Sequence, residues 1–480
     1  LILGRVFVPF YSRSMVYTMP EFLERRYNPQ SRTILSVISL VSYVLTKVAV
    51  TVYAGGLVFQ QVFGIKELWG IDFFWIAAIG LVVLTALYTI FGGMKSVLYT
   101  SVLQTPILLL GSLIILVLGF KELGGWDEMM RVCGAVTVND YGDTMTNLIR
   151  SNDDANFPWL GALIGSAIIG FWYWCTDQFI VQRVLSGKNE KEARRGTIFG
   201  AYLKLLPVFL FLIPGMIAFA LHQKYIGAGG EGFLPMLANG TANADAAFPT
   251  LVAKLLPAGV KGLVVCGILA ALMSSLASLF NSSAMLFTID FYKRFRPETP
   301  EKKLVGIGQI ATVVIVILGI LWIPIMRSVG DVLYTYLQDV QSVLAPGIAA
   351  AFLLGICWKR TSAQGGMWGL IAGMIIGLTR LGAKVYYSNA GEVADSTFKY
   401  LFYDMNWLFF CGWMFLFCII VVIVVSLATE APTAEKIQGL VFGTATKEQK
   451  AATRASWDHW DIIHTVIILA ITGAFYWYFW

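Results

Sequence analysis

Charged residues are scarce in this sequence. Asp, Glu, Lys and Arg make up 13% of its 480 residues, where soluble domains carry about 25%. Apolar residues account for 57%, and the mean hydropathy is +0.71. A chain this long and this apolar is not a large water-soluble core, so the composition predicts a protein that crosses a membrane several times. The net charge of +6 is small for this length and gives no sign of nucleic-acid binding.

The residue patterns of metal sites and of common enzymes are also missing. The three histidines, at 222, 459 and 464, are too scattered for a metal site, and the six cysteines form no Cys-x-x-Cys pair, so the sequence predicts no transition-metal site. Most of the cysteines lie in apolar stretches, and Cys133 is expected as a lone thiol in a loop. Walker A, Gly-x-Ser-x-Gly and His-Glu-x-x-His motifs do not occur, which makes an enzyme the least favoured class.

Long apolar runs are what the sequence has in abundance. A helix needs about 20 residues to cross a bilayer, and about eleven stretches reach that length. They lie at roughly 32–64, 72–91, 97–119, 158–184, 197–221, 259–290, 304–326, 332–357, 364–382, 403–428 and 459–480. We therefore expect an all-α integral membrane protein, with one transmembrane domain over 1–480. A polar linker at 429–458 is expected to precede a last, peripheral helix at 459–480.

Positive charges are distributed unevenly between the two predicted sides of the membrane. Most of the 35 Lys and Arg fall in segments on one side, whereas the loops at 120–157 and 222–258 on the other side contain few. Because Lys and Arg favour the cytoplasm, the linker at 429–458 is predicted to be cytoplasmic and Trp480 to lie outside the cell. The chain begins at Leu1 with an apolar segment too short to span, and we expect sequence upstream of it.

An aromatic cluster followed by an acid lies inside one of the spans, where residues 171–183 read FWYWCTDQFIVQR. Tyr173 and Trp174 offer flat faces on which a sugar ring can stack, or they pack between helices. Asp177 follows Tyr173 by one helical turn. Charged groups inside a membrane usually face protein or a water-filled path, so Asp177 either lines a site or pairs with a basic residue near the helix end.

Small and hydroxylated residues are concentrated in the span at 259–290. In a helix, Ser274, Ser278 and Ser282 share one face. Neutral oxygens from hydroxyls and from the freed carbonyls of a broken helix suit Na⁺ in transporters. Small residues also allow membrane helices to pack closely. Both interpretations, a sodium site and a packing face, are open at this point.

Polar residues also occur in three other spans. Lys204 either extends its amine to the nearby cytoplasmic face or donates to a bound solute. Gln338 lies in a polar segment that Pro346 and Gly347 are expected to break, a feature of transporter binding sites, although a helix start facing solvent has the same composition. Arg380 is expected at the membrane interface with its guanidinium in water.

Taken together, these stretches resemble the sodium:solute symporter family, most closely its sodium/glucose cotransporter branch. The similar motifs are at 17–27, 172–178, 200–207, 270–283, 336–346 and 360–365. The resemblance covers essentially the whole chain. It implies a LeuT-type core of two inverted five-helix repeats within fourteen helices. The first three of those helices are not found in this sequence, so we expect an N-terminally truncated relative of the family.

The resemblance also implies roles for single residues. The residues in contact with the sugar would be Tyr173, Trp174, Lys204 and Gln338. Tyr173 would also be the inner gate, and Tyr334, one turn before Gln338, the outer gate. These assignments are expectations carried over from the family motifs to the matching positions of this sequence.

For sodium, the resemblance implies that Ala271 offers its carbonyl and that Ser274 and Ser275 offer their hydroxyls. Asp177 is a candidate coupling residue. Ser101 stands where most members have Asp, so a second cation site is not expected. The implied function is Na⁺-driven uptake of a glucose- or galactose-like sugar across the plasma membrane by alternating access. The alternatives are another polar solute (myo-inositol, sialic acid, an amino acid or a vitamin) and a non-transporting sugar sensor or cation-conducting pore.

Overall fold

The structure is a computed structural model of the chain. It describes residues 1–14, 16, 18–237, 240–329, 332–389 and 394–479. Within the helices, the side chains of residues 88, 90–98, 100, 103 and 327–329 are not part of this description. Two predictions fall outside this part of the chain: the first residue of the 17–27 motif, Tyr17, and the external position of Trp480.

Most of the described residues are helical. In chain order the helices are α1 Val8–Ser14, α2 Met19–Arg26, α3 Pro29–Ser42, α4 Ala49–Phe63, α5 Phe73–Leu123, α6 Trp126–Gly134, α7 Trp159–Phe171, α8 Gln178–Leu185, α9 Glu190–Pro207, α10 Ile213–Gly227, α11 Ala247–Leu255, α12 Ala258–Met285, α13 Lys293–Phe295, α14 Glu301–Val329, α15 Leu333–Cys357, α16 Ala363–Asn389, α17 Thr397–Lys399, α18 Trp407–Ala428, α19 Ala434–Ile437, α20 Lys447–Ala455 and α21 His459–Tyr478. Wider π-helical turns occur at Leu3–Phe7, Tyr43–Val48, Trp172–Thr176, Val208–Leu212, Leu286–Tyr292 and Tyr400–Asp404, and a 3₁₀ turn at Ala244–Ala246. Strands β1 Glu67–Leu68 and β2 Ile71–Asp72 pair antiparallel.

Within the described part of the chain, 10 helical segments are long and apolar enough to cross a membrane, and Phe73–Leu87 is a shorter apolar one. The all-α membrane class is therefore confirmed. The predicted separation of the spans at 72–91 and 97–119 is wrong, because α5 runs through both as one helix of 51 residues. Glycine inside a helix costs only about 1 kcal/mol, so the Gly92-Gly93 pair between the two stretches does not end the helix.

The chain forms two compact units. The first comprises Leu1–Thr46, Asn152–Tyr202 and Ser282–Phe475, and the second comprises Lys47–Ser151, Leu203–Asn281 and Tyr476–Trp480.

In the first unit, α15 is the central helix, since 83% of its apolar window is buried against 17% for α21. A Cβ added at Gly347 of α15 would lie 2.9 Å from the Cα of Gly373 in α16, so the two backbones are in direct contact. Small residues allow this approach between membrane helices.

The predicted break at Pro346 is wrong: α15 continues past it. Neighbouring helices and waters can satisfy the groups that a proline leaves free.

Arg380 is buried in the first unit, with 0% of its surface exposed. Its guanidinium donates to the carbonyls of Leu401 (3.3 Å) and Met405 (2.7 Å). It also lies 3.6 Å from a carboxylate oxygen of Asp339 and 4.0 Å from the ring centre of Phe410. The predicted interfacial position is therefore wrong. An intramembrane charge is stable where it is paired and hydrogen-bonded, and these partners are far from it in the sequence.

The second unit has its own apolar core, formed by α5, α6, α10, α11 and part of α12. Its fully buried residues include Ile115, Met129, Ile217, Leu251 and Val264.

The prediction of Cys133 as a loop thiol is wrong. Cys133 lies on α6, is fully buried, and belongs to the core of the second unit. Trp126, Met129 and Cys133 recur at helical spacing, which places them on one face. Burial raises the pKa of the Cys133 thiol to about 11, because a thiolate is poorly solvated in an apolar core.

Candidate functional site

A membrane span in the first unit is interrupted next to the aromatic cluster. Helix α7 ends at Phe171 and gives way to the π-helical turn Trp172–Thr176. Asp177 then takes an extended conformation (φ −78°, ψ 124°), and α8 starts at the following residue. A break of this kind frees backbone groups inside the membrane, where transporters use them to hold solutes and ions.

Tyr173 and Trp174 form an edge-to-face pair on the π-helical turn. Their ring centres are 5.3 Å apart and the ring planes are inclined by 87°. Trp174 is 41% exposed, whereas Tyr173 is half-buried. This arrangement leaves part of the indole open for contact with an apolar ring face, beside hydrogen-bonding groups of the broken helix.

Asp177 has partners that explain its position. Its carboxylate accepts hydrogen bonds from the Tyr43 hydroxyl (3.0 Å) and from the Phe179 amide (3.1 Å). The second contact caps the first turn of α8, a position where Asp is strongly preferred. These two contacts support a role for Asp177 in fixing the broken helix.

Gln338 and Tyr334 lie one turn apart near the start of α15. The Gln338 amide donates to the Tyr334 hydroxyl at 3.0 Å, and Tyr334 is 55% exposed. Between them, the buried Tyr336 donates to the Leu45 carbonyl at 3.0 Å and accepts from the indole of Trp322 at 2.6 Å. These contacts hold the start of α15 in place while Gln338 and Tyr334 stay accessible.

Helix α15 packs directly against the π-helical turn that carries Tyr173 and Trp174. The first unit therefore brings the glutamine-bearing helix and the aromatic turn into contact. Asp339, which the sequence analysis missed, follows Gln338 and forms a 2.7 Å ion pair with Lys384 of α16. Its only signal in the sequence is an acid inside an apolar span, with no indication of its partner.

The residues predicted to bind sodium lie on α12 in the second unit. Ser274 is 8% exposed, and its hydroxyl oxygen is 2.6 Å from that of Ser101. Ser278 donates to the Ser274 carbonyl at 2.9 Å. Ser275 is exposed and Ala271 half-buried. The Ser101 contact was missed because it joins residues 173 positions apart.

Lys204 also belongs to the second unit. It lies near the end of α9, and its side chain is exposed. A wider turn, Val208–Leu212, follows Pro207 and interrupts the regular helix between α9 and α10. Turns of this type are common at functional sites, and this one places an accessible amine beside an irregular stretch of membrane helix.

A helical membrane protein with an interrupted span, a polar helix packed against the break and a run of helical hydroxyls has the features of a secondary transporter. The model of the sodium:solute symporter family matches residues 1–373. The chain is 36% identical to the sodium/mannose cotransporter of Bos taurus, over 100% of the chain and 83% of that protein. The chain belongs to the sodium:solute symporter family.

Two further relatives are similar at the same level. Sodium/glucose cotransporter 1 of Ovis aries is 37% identical over 90% of the chain, and sodium/myo-inositol cotransporter 2 of Homo sapiens is 35% identical over 92%. The chain spans 66% of the length of each of these two proteins.

A solved structure of a Na⁺-coupled sialic acid symporter, in a substrate-bound outward-open state, is similar in fold. The TM-score is 0.67 at 22% identity, with 90% of this chain and 81% of that chain covered. The predicted LeuT-type fold is confirmed. The protein is a multi-pass membrane symporter that couples a solute to Na⁺, and it is not an enzyme.

Proposed function

We propose that the solute is a sugar of the glucose or galactose type, taken up with Na⁺ by alternating access. The observation that carries this proposal is the packing of α15 against the aromatic turn, with the exposed indole of Trp174 on that turn. A pyranose presents apolar CH faces to aromatic rings and hydroxyls to amides. The glucose and mannose cotransporters among the relatives support the same class of solute.

In this proposal Trp174 and Tyr173 contact the sugar ring, while Gln338 and Lys204 contact its hydroxyls. The Gln338 amide can donate and accept at once, and the Lys204 ammonium can only donate. Tyr173 closes the inner path and Tyr334 the outer one. Apart from the Lys204 ammonium, the donors and acceptors of this site are neutral, which suits a solute that carries many hydroxyls and no charge.

Na⁺ is the second transported species. We assign it to the carbonyl of Ala271 and the hydroxyls of Ser274 and Ser275, because neutral oxygens suit a hard monovalent cation. Sodium that binds one conformation more tightly favours that conformation, and the coupling to the sugar is reciprocal. A membrane potential adds about 2.3 kcal/mol per charge per 100 mV to inward movement. The direction of transport, into the cell, follows from the predicted orientation with the 429–458 linker in the cytoplasm.

Uptake into proteoliposomes tests the proposal. We expect an inward Na⁺ gradient to drive accumulation of labelled D-glucose above its external concentration, and an equal K⁺ gradient to drive none. Unlabelled D-galactose should compete strongly, and myo-inositol and sialic acid weakly. If myo-inositol competes strongly and D-galactose does not, the solute is an inositol and not a sugar of the glucose type. Sugar-evoked current without accumulation would indicate a sensor or a pore.

A pair of tryptophan variants separates solute contact from general packing. Trp174→Ala should raise the KM for the sugar roughly fivefold, the value expected for one aromatic contact. Trp413→Ala on α18 is the matched control, because Trp413 is also exposed, at 63%, and lies outside the proposed site. Equal effects of the two substitutions would contradict the assignment of Trp174.

A further inference from the structure

A cationic cavity of about 440 Å³ lies between α1 and α20 in the first unit. Its lining residues are Arg13, Lys450, Thr453, Arg454 and Trp457. The volume is in the range of small-molecule sites, roughly 300–1,000 Å³. Among the described residues, the wall thus combines three cations, one hydroxyl and one indole, with no carboxylate.

The three cations have no acidic partner in the part of the chain that the structure describes. Among the described residues, no carboxylate is within ion-pair distance of Arg13, Lys450 or Arg454. One terminal nitrogen of Arg13 donates to the Thr453 hydroxyl at 2.5 Å, and its buried Nε has no hydrogen-bond partner in the part of the chain that the structure describes. Like charges brought together without an acid favour binding of an anion.

Two further cations lie over the indole of Trp457. The guanidinium of Arg5 lies 4.9 Å from its ring centre, and that of Arg194 lies 4.7 Å away. Glu190 pairs with Arg194 at 2.8 Å, so this acid is already engaged outside the cavity wall. Asp461 also interacts with Arg194, so acids among the described residues balance the charge of Arg194.

A second, largely apolar groove of about 370 Å³ lies between α9 and α21 in the same unit. Its described lining residues are Arg195, Ile198, Phe199, Tyr202, Trp460, Asp461 and His464. Trp460 follows Trp457 by three residues, at the start of the membrane span α21. Acyl chains fit beside such a surface, whereas a free anion gains nothing from it.

We propose that the cavity between α1 and α20 binds the phosphomonoester headgroup of an anionic phospholipid, with its acyl chains along the groove between α9 and α21. Arginine recognises phosphate oxygens with two parallel hydrogen bonds, and Lys450 adds a point charge. Basic residues on a helix beside a membrane span attract anionic lipids, each contributing about fivefold in affinity near the surface. This site is independent of the proposed sugar site.

Equilibrium binding to the purified protein in an uncharged detergent tests the proposal. The probes are dioctanoyl phosphatidic acid, dioctanoyl phosphatidylcholine and glycerol 3-phosphate. We expect phosphatidic acid to bind, phosphatidylcholine not to bind, and glycerol 3-phosphate to bind at least tenfold more weakly than phosphatidic acid. Equal affinity for the soluble phosphate would overturn the lipid assignment, and equal binding of phosphatidylcholine would overturn the site.

Two double variants localise the binding. Lys450→Gln with Arg454→Gln should weaken phosphatidic acid binding roughly 20-fold, the combined effect of two cations. Lys302→Gln with Lys303→Gln removes the same charge from exposed positions on α14 and should change the affinity less than twofold. Thermal unfolding without lipid should be similar for both double variants. An equal loss of affinity in the two would overturn the proposal.

Discussion

The hydroxyl of Tyr43 donates a hydrogen bond of 3.0 Å to Asp177 at the point where the span is interrupted. Tyr43 is 1% and Asp177 5% exposed, so the contact is closed to solvent. The amide of Phe179 also points to this pair, 3.1 Å from each of the two side-chain oxygens. A segment far away in the sequence thus fixes the residue at which α8 begins.

Substitution of Asp177 separates a capping role from a coupling role. Asparagine is as good an N-cap as aspartate, so Asp177→Asn should keep most of the thermal stability. Asp177→Ala should lose about 1 kcal/mol or more, because it removes both the cap and the acceptor of the Tyr43 hydrogen bond. Thermal unfolding in detergent measures this difference. A large change in Na⁺ half-saturation for Asp177→Asn at unchanged stability would instead support a coupling role.

Substitution of Gln338 tests the hydrogen bonds to the solute. Gln338→Ala should raise the KM for the sugar roughly fivefold, the effect of losing about 1 kcal/mol of hydrogen bonding. Tyr334→Phe is the control, because it removes only the hydroxyl to which Gln338 donates and should change the KM less than twofold. Initial uptake rates over a range of sugar concentrations give both values. The assignment fails if Gln338→Ala leaves the KM unaltered.

Two serines on α12 provide a matched test of sodium binding. Ser275→Ala should raise the Na⁺ concentration for half-maximal uptake roughly fivefold, because a neutral oxygen ligand is lost. Ser278→Ala should leave it unchanged, since its hydroxyl is already bonded to the Ser274 carbonyl. Sodium titration of sugar uptake measures both variants. Unchanged sodium activation in Ser275→Ala would refute the assignment of this hydroxyl.

The buried ion pairs of α15 and α16 should make unequal contributions to stability. Arg380→Met should cost about 3 kcal/mol or more, because the guanidinium is fully buried and its carbonyl partners would be left without a donor. Lys384→Gln should cost about 1 kcal/mol, because its side chain is 21% exposed and water can replace it. Thermal unfolding of the two variants in detergent measures this order. A larger loss for Lys384→Gln would contradict it.

Thiol labelling tests the burial of α6. Cys133 should resist maleimide at pH 8, because a buried thiol with a pKa of about 11 is almost fully protonated at that pH. Cys357 is exposed at the end of α15 and should react first. Peptide mass spectrometry of samples taken over time locates the label, and Cys357→Ser should remove the fast phase. Labelling of both thiols at one rate would show that α6 is not packed as described.

Membrane spans were predictable because a bilayer imposes both a length and an apolar composition on each crossing helix. Local sequence also marks helix starts: Asn406 caps α18, and Thr446 with Gln449 forms a capping box at α20. These signals act over a few residues. The prediction failed for Pro346, where the rule for soluble helices gives a break but packing inside the membrane preserves the helix.

Partners from distant segments were not predictable. Arginine near the end of an apolar span is usually interfacial, and only the fold places Asp339 and two carbonyls around Arg380. The sequence likewise showed that Ser101 stands where the family motif has an acid. It did not show that Ser101 contacts Ser274. The sequence motifs identified the helices that carry the candidate site. The hydrogen bonds within each unit depend on the fold and could not be predicted from these motifs.

The backbone contact between Gly347 and Gly373 has a consequence for biogenesis. Helices α15 and α16 are consecutive, and only residues 358–362 separate them. Contacts between neighbours in sequence form early, because little chain entropy is lost in closing the loop. The pair can therefore assemble as a hairpin during insertion, ahead of the remaining helices. A bulky residue at either glycine would lower the amount of inserted protein rather than the turnover of the molecules that mature.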